Sequence, residues 1–147
     1  MRSWQGITLV AGVALIVRTT PVAGQAVDTA GAIQAATAAA EGWLRVVDQK
    51  DYAASWDSAA SAFKGAVTRD KWEQAAGQAR GALGQLGARE KPAAQYATQL
   101  PNVPAGQYVV LQYRTAAGPG RTVVETVTTM LDGGRGWRVL GYFVRPQ

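Results

Sequence analysis

The chain has 147 residues, of which 48% are apolar and 17% are charged, a composition that suits one globular domain with a short additional segment. It contains neither cysteine nor histidine, which excludes disulfides, thiolate catalysis and any zinc site built from these two residue types. The net charge of +5 is not gathered into a run of lysine or arginine, so no nucleic-acid partner is expected. We also predict no cofactor and no bound metal.

The first 26 residues have the order of a secretory signal. Arg2 gives a short basic start, residues 7–17 form an uncharged apolar run, and small residues follow up to Ala26, the expected cleavage position. The run is about half as long as a membrane span, so no stable span is expected after cleavage. Arg18, a charge directly behind the run, leaves an uncleaved interfacial anchor as the alternative. We therefore expect a signal peptide, residues 1–26, and a single domain, residues 27–147, exported to the periplasm or the medium.

Three helices are predicted in the first half of the mature chain. Apolar residues recur there at spacings of three and four, which is typical of a helix with one buried face. The predicted helices are Asp28–Val47, Tyr52–Ala66 and Thr68–Leu86. Asp28, Asp51 and Thr68 precede or begin them, and their side chains can accept the free N–H groups of a first helical turn.

The second half predicts an antiparallel sheet. An irregular first strand is expected within residues 88–100, followed by Gln107–Thr115, Arg121–Leu131 and Trp137–Arg145, which are rich in branched and aromatic residues. Helices followed by a meander indicate an α+β domain, with three N-terminal helices packed on one face of a curved antiparallel sheet of three to four strands. Gly141 lies inside the last strand and favours a β-bulge or a strong bend.

Glu125 is the residue whose surroundings bear most on function. If the last two hairpins are regular, Glu125 lies opposite Phe143 on one side and Leu111 on the other, with Arg145 on a diagonal. The same register pairs Leu131 with Trp137, Thr129 with Val139, Val127 with Gly141 and Val123 with Arg145. A dry carboxylate in such a place has a raised pKa and can act as an acid or a base. If it reaches Arg145, Arg114 or a tyrosine hydroxyl, it stays ionised and anchors the sheet.

Several segments resemble a known family. The stretches LPNVPAGQYVVLQYRT, ETVTTMLDGG and GWRVLGYFVR, together with the tryptophan-rich helical half, are similar to the bacterial domain-of-unknown-function family 4019 over residues 39–145. Proteins of that family are typically small and exported, and the resemblance supplies no catalytic residues. The order of helices and strands is also similar to the cone-shaped fold of nuclear transport factor 2, the ketosteroid isomerases and the cystatin-like proteins. In the turn LPNVPAGQY, Ala105 and Gln107 replace two acids of the family pattern.

A cone-shaped fold implies a pocket between the helices and the concave sheet. The side chains expected to line it are Trp43, Tyr52, Trp56, Trp72, Tyr113, Glu125 and Trp137. They would contact a small apolar ligand, or they would simply fill the domain as its core, because an alanine-rich helical half has few other large side chains.

Two functions follow from these alternatives. The first is a non-catalytic binding or assembly domain of the cell envelope, with a homodimer formed through the sheet face that carries Val110, Val124, Tyr142 and Val144. The second is an isomerase- or dehydratase-like enzyme in which Glu125 is the general base and Tyr113 or Tyr142 donates a hydrogen bond.

Overall fold

The computed structural model describes residues 26–147. All but the last residue of the predicted signal segment, residues 1–26, lies outside this range. Among the described residues, no helix is both long enough and apolar enough to cross a membrane.

The helical half contains four helices where three were predicted. They are α1 (Thr29–Asp48), α2 (Tyr52–Ser58), α3 (Ser61–Ala66) and α4 (Arg69–Leu83). The three predicted N-caps are confirmed, since Asp28, Asp51 and Thr68 accept hydrogen bonds from the backbone N–H groups of Gly31, Ala54 and Lys71, respectively. The last helix ends earlier than predicted, because Gly84 has a φ of 71°, which favours glycine and ends a helix.

The prediction of one continuous helix over Tyr52–Ala66 is wrong. Ala59 and Ala60 have extended backbones and are fully buried. The N–H of Ala60 donates to the carbonyl of Val139 in the sheet at 2.8 Å, and Asp132 accepts from the N–H of Ser61, the first residue of α3, at 2.9 Å. These two contacts replace the helical hydrogen bonds with bonds to the sheet and its last hairpin, which is why the local apolar pattern alone did not show the break.

The second half forms a four-stranded antiparallel meander. Its strands are β1 (Ala93–Ala97), β2 (Tyr108–Ala116), β3 (Thr122–Leu131) and β4 (Trp137–Pro146), paired in the order β1-β2-β3-β4, and a short 3-10 turn at Gly133–Arg135 joins the last two. The segment before β1 also lies along β2, because the N–H of Glu90 donates to the carbonyl of Arg114. The predicted α+β class, with helices first and the antiparallel sheet after them, is confirmed.

A β-bulge changes the pairing of the last hairpin. The predicted pairs Leu131–Trp137 and Thr129–Val139 are confirmed. The register then shifts between Thr129 and Thr128. Beyond the shift, the observed pairs are Thr128 with Gly141, Val127 with Tyr142, Glu125 with Val144 and Val123 with Pro146. The predicted pairs of Val127 with Gly141, Glu125 with Phe143 and Val123 with Arg145 are therefore wrong. On the other side Glu125 pairs with Tyr113 rather than Leu111, a shift of two residues that keeps the same face.

The bulge decides which side chains of β4 face the helices. Tyr142 and Val144 pair with residues of the buried face of β3, so the predicted dimer surface of Val110, Val124, Tyr142 and Val144 does not exist as a single face. Phe143 instead lies on the outer face and is 62% exposed. Arg145 pairs with Val124 and is likewise on the outer side, away from Glu125.

Candidate functional site

Four charged side chains meet where the helices contact the sheet. We call Asp48, Arg80, Arg89 and Glu125 the charge cluster. Asp48 is the last residue of α1, Arg80 lies in α4, Arg89 lies between α4 and β1, and Glu125 lies in β3. Two cations and two anions balance one another, so the cluster joins two helices, the connecting segment and the sheet without a net charge.

Glu125 is at the centre of this arrangement and is 0% exposed. Arg89 donates to both of its carboxylate oxygens, from Nε at 2.7 Å and from Nη2 at 3.1 Å. Arg80 Nη1 donates to Oε2 at 3.2 Å, and the hydroxyls of Thr115 and Tyr142 donate at 2.7 Å and 2.6 Å. Both oxygens of this buried carboxylate are therefore fully occupied by donors.

Asp48 receives the remaining donors of the two arginines. Arg89 donates to its two oxygens at 2.6 Å and 2.8 Å, and Arg80 Nη2 also donates to it. Arg89 thus makes a two-pronged contact with each carboxylate, which is the geometry that a planar guanidinium favours. Removing any one member would leave an opposite charge poorly compensated at the junction of helices and sheet.

The surroundings fix the protonation states of the cluster. Burial opposes ionisation of Glu125, but hydrogen bonds from Arg89, Tyr142 and Thr115 and the charge of Arg89 outweigh it and lower the pKa of the carboxyl. In Asp48 the contacts with Arg89 and Arg80 likewise outweigh burial and lower the pKa. Burial, and then the negative charge of Glu125, raise the pKa of Tyr142, whose hydroxyl accepts from Arg80 while it donates to Glu125. Both carboxylates are ionised at neutral pH.

These pKa shifts predict how stability depends on pH. The folded-state pKa values of Glu125 and Asp48 lie below their ordinary values of 4.5 and 3.8, so the unfolded chain binds protons first as the pH falls. The stability that the two ionised groups contribute should be fully present above about pH 4.5 and should be lost as the pH falls through the folded-state pKa values. Urea unfolding at a series of pH values measures this. Loss of stability already near about pH 6 would show a raised carboxyl pKa and contradict the assignment.

A cleft of about 500 Å³ lies beside the cluster, between α1 and the start of the sheet. We call it the Tyr113 cleft. Its apolar wall is formed by Ile33, Leu44, Pro92 and Ala94, and its charged side chains are Glu41, Arg45, Arg89, Glu90 and Lys91. Tyr113 itself is 1% exposed, and its hydroxyl has no hydrogen-bond partner among the described residues.

The charge cluster separates this cleft from a second one. The second cleft, of about 510 Å³, is lined by Asp48, Arg80, Tyr52 and the glycines of α4. Arg89 lines the first cleft and Arg80 the second, so the shared carboxylates form the partition between them. Because that partition is filled by direct hydrogen bonds, the two clefts are not one pocket.

The structure distributes the predicted pocket residues among several places. Of these residues, only Tyr113 lines the Tyr113 cleft, and Tyr52 lines the second one. Trp43 and Trp72 pack with each other at 5.7 Å between ring centroids, and Tyr142 lies 5.5 Å from Trp43.

The indole N–H groups in this interior are also satisfied. Trp43 Nε1 donates to the carbonyl oxygen of Ser55 at 2.8 Å, and Trp72 Nε1 donates to the hydroxyl oxygen of Ser55 at 2.9 Å. Trp56 Nε1 donates to the carbonyl oxygen of Val67. Trp137 is partly buried against the core and lines a shallow depression. The interior between the helices and the sheet is thus occupied by aromatic side chains.

The sequence interpretation missed Arg80, Arg89 and Thr115 as partners of Glu125. A signal for Arg80 was available, because it follows the buried residues Trp72 and Ala76 at successive spacings of four. Asp48 similarly follows Leu44 on the buried side of α1. A charged residue that continues an apolar stripe marks a place where a buried partner is needed. Arg89 carried no such signal, since it lies in an irregular segment.

The acidic side chains of the described residues do not form a metal site. No three acidic side chains within residues 26–147 converge closely enough to hold a metal ion. Asp51 and Asp28 are occupied as helix caps, and Asp57 is paired with Arg69.

Comparison with known proteins gives one match. A family described as "Protein of unknown function (DUF4019)" matches residues 39–142, which include the charge cluster, Tyr113 and nearly all of the sheet. No curated protein and no solved structure matches the chain.

Proposed function

The chain belongs to the DUF4019 family, and from this premise and the geometry of its clefts we propose that it is a non-catalytic domain of the bacterial cell envelope that binds a small molecule in the Tyr113 cleft. The proposal takes its site from the side chains of the chain itself, because the family has no assigned activity. The observation that carries it is the hydroxyl of Tyr113, a buried polar group without a partner among the described residues, on a side chain that lines a cleft with both apolar and charged residues.

An unpartnered buried hydroxyl is an uncommon feature in a folded protein. Leaving such a group without a hydrogen bond costs about 1–3 kcal/mol, and the large majority of buried polar atoms have a partner. The nearby hydroxyls of Thr115 and Tyr142 follow the rule, since both donate to Glu125. A ligand atom that accepts a hydrogen bond from Tyr113 would give this hydroxyl the partner that it lacks among the described residues. The cleft has the size and the mixed lining of a small-molecule site.

The contacts of Glu125 favour a binding role over an enzymatic one. A general base must be free to accept a proton from a substrate, whereas both oxygens of Glu125 accept hydrogen bonds from two arginines, a threonine and a tyrosine. Its lowered pKa also makes it a weak base near neutral pH. The isomerase- or dehydratase-like alternative requires Glu125 in a hollow pocket without a bonded arginine, and the geometry offers it no support.

The proposal also includes export to the periplasm or the medium and a cone-shaped fold. Export is supported by the basic, apolar and small-residue order of the first 26 residues. A cone-shaped fold like that of nuclear transport factor 2 is supported by the order of the elements and by the bulge at Gly141, since bulges increase the local bend of a strand.

The test is native mass spectrometry of the mature protein, gently purified from the envelope fraction of its host. We expect one small molecule per chain. Substitution Ala94→Trp, which places a large side chain in the cleft, should abolish its retention. Ala93→Trp is the matched control, because Ala93 is the adjacent exposed residue of β1, lies on the opposite side of the strand and does not line the cleft. A chain that carries no molecule contradicts the proposal.

The same spectrum tests a second function, assembly through the outer face of the sheet. The observation that favours it is the exposure of Phe143, together with a shallow apolar depression formed by Leu100, Pro101, Val103, Val110 and Leu140. A dimer without a bound molecule would support assembly and move the candidate site from the Tyr113 cleft to this outer face.

A further inference from the structure

We propose that the ligand of the Tyr113 cleft is an amphiphilic carboxylate, with its acid group near Tyr113 and Arg89 and its apolar body against Ile33, Leu44 and Pro92. This inference rests on the proposed function and adds the chemical class of the ligand.

The hydroxyl of Tyr113 has a proton that it can donate to such a ligand. Burial first, and then the negative charge of Glu41, raise the pKa of Tyr113 to about 12, so the hydroxyl keeps its proton at neutral pH. A ligand that is to satisfy this proton must present an acceptor oxygen or nitrogen. A purely apolar ligand, or an ammonium group at that position, would leave this proton without an acceptor.

The charges of the cleft favour a negatively charged acceptor. Within the described part of the chain, Arg45 and Lys91 form no salt bridge, and Glu41 is the one acidic side chain of the lining that is likewise unpaired. Glu90 faces Arg114, with 3.6 Å between Oε2 and Nε. Two cations against one anion leave the cleft with a positive excess, which attracts an anion and disfavours a cation.

Arg89 also has one donor left. A guanidinium carries five N–H groups, and Arg89 uses four of them on Glu125 and Asp48. The fifth, on Nη1, has no acceptor among the described residues, and Arg89 lines the cleft together with Tyr113. A carboxylate has two oxygens, so one can accept from Tyr113 while the other accepts from Arg89.

The apolar lining accounts for the rest of the ligand. Ile33, Leu44, Pro92 and Ala94 give one wall no hydrogen-bonding side chain, so the part of the ligand that contacts it must be hydrocarbon. A simple inorganic anion would leave that wall uncovered, which is why an acid with an apolar body fits better than phosphate or sulfate.

The experiment is calorimetric titration of the purified mature protein, freed of bound molecules, with octanoate and with octanamide. The two probes share the same chain and both present an acceptor oxygen, but only octanoate is charged. We expect octanoate to bind about tenfold more tightly, because charge-assisted hydrogen bonds are about twice as strong as neutral ones. Tyr113→Phe should weaken octanoate binding about tenfold without unfolding the protein, because the hydroxyl that it removes has no partner.

Two controls keep the outcomes distinct. Tyr96→Phe removes a hydroxyl that donates to Gln107 outside the cleft, so it should leave octanoate binding unchanged. Ala94→Trp should abolish binding of both probes, whereas Ala93→Trp should not. Equal affinity for octanoate and octanamide would overturn the acid assignment and leave the small-molecule cleft standing. The acid assignment would also be overturned if Tyr113→Phe bound octanoate as tightly as the unchanged protein, or if neither probe bound. The proposed small-molecule function would then be tested separately, by whether native mass spectrometry finds a retained molecule.

Discussion

Substitution Glu125→Gln is expected to lower the free energy of unfolding by about 3–5 kcal/mol. The amide nearly preserves the shape of the side chain but removes its negative charge. Among residues 26–147, Asp48 is then the one anionic partner left to Arg80 and Arg89. Arg80 is 7% exposed and cannot recover the lost interaction from water. The amide nitrogen of glutamine would also point a donor at groups that are themselves donors. Urea unfolding at neutral pH, followed by tryptophan fluorescence, measures the loss.

The matched control is Glu90→Gln, the same chemical change at an exposed carboxylate. Glu90 is 3.6 Å from Arg114 with both side chains more than half exposed, so the effect should stay within about 0.5 kcal/mol. If Glu125→Gln destabilises by no more than this control, Glu125 is not an ion-pair anchor. Such a result would return Glu125 to consideration as a base, because a carboxylate that does not contribute to stability is retained for another reason.

The two substitutions therefore separate a structural from a chemical role of the same residue. A buried ion-pair network is costly to form and is not strong evidence of stability by itself, since desolvation offsets much of the attraction. What the network does achieve is specificity, because Asp48, Arg80 and Glu125 satisfy one another only when α1, α4 and β3 have their observed relative positions. The charge cluster thus fixes the shape of the wall that borders the Tyr113 cleft.

Local signals in the sequence were sufficient for most of the secondary structure. Asp28, Asp51 and Thr68 each cap a helix by a hydrogen bond with the residue three positions later. In the strands around Val109 and Val127, buried and less buried side chains largely alternate from one residue to the next. Such patterns are contained within a few neighbouring residues. They indicate the helical half, the meander and the buried face on which Glu125 lies.

The details that the sequence did not give all depend on distant residues. The break at Ala59 requires the carbonyl of Val139, and the partners of Glu125 come from positions 45 and 36 residues away, Arg80 and Arg89. Gly141 predicts a bulge, but the predicted pairs of the last hairpin assume a regular register, and the observed register shifts between Thr128 and Thr129. That one extra residue moves Tyr142 to the inner face and Phe143 to the outer face, which changes both the partners of Glu125 and the surface open to assembly.

Substitution Trp72→Ala is expected to lower the free energy of unfolding by about 3–5 kcal/mol, because it removes the aromatic side chain that joins α4 to the interior. Trp72 is 7% exposed and lies 5.1 Å from Phe63 and 5.7 Å from Trp43 between ring centroids. Its indole N–H donates to the hydroxyl of Ser55, which would lose this partner in a fully buried position. Thermal and urea unfolding of the variant measure the loss.

Phe143→Ala is the matched control, since it removes an aromatic ring that is largely exposed and should change stability by no more than about 0.5 kcal/mol. A loss below about 1 kcal/mol for Trp72→Ala would mean that the aromatic interior is not a packed core. The residues predicted from the sequence to line a pocket, Trp43 and Trp72 among them, would then have to be reconsidered as a ligand site. The expected large loss instead leaves the Tyr113 cleft, outside this aromatic interior, as the place where a small molecule binds.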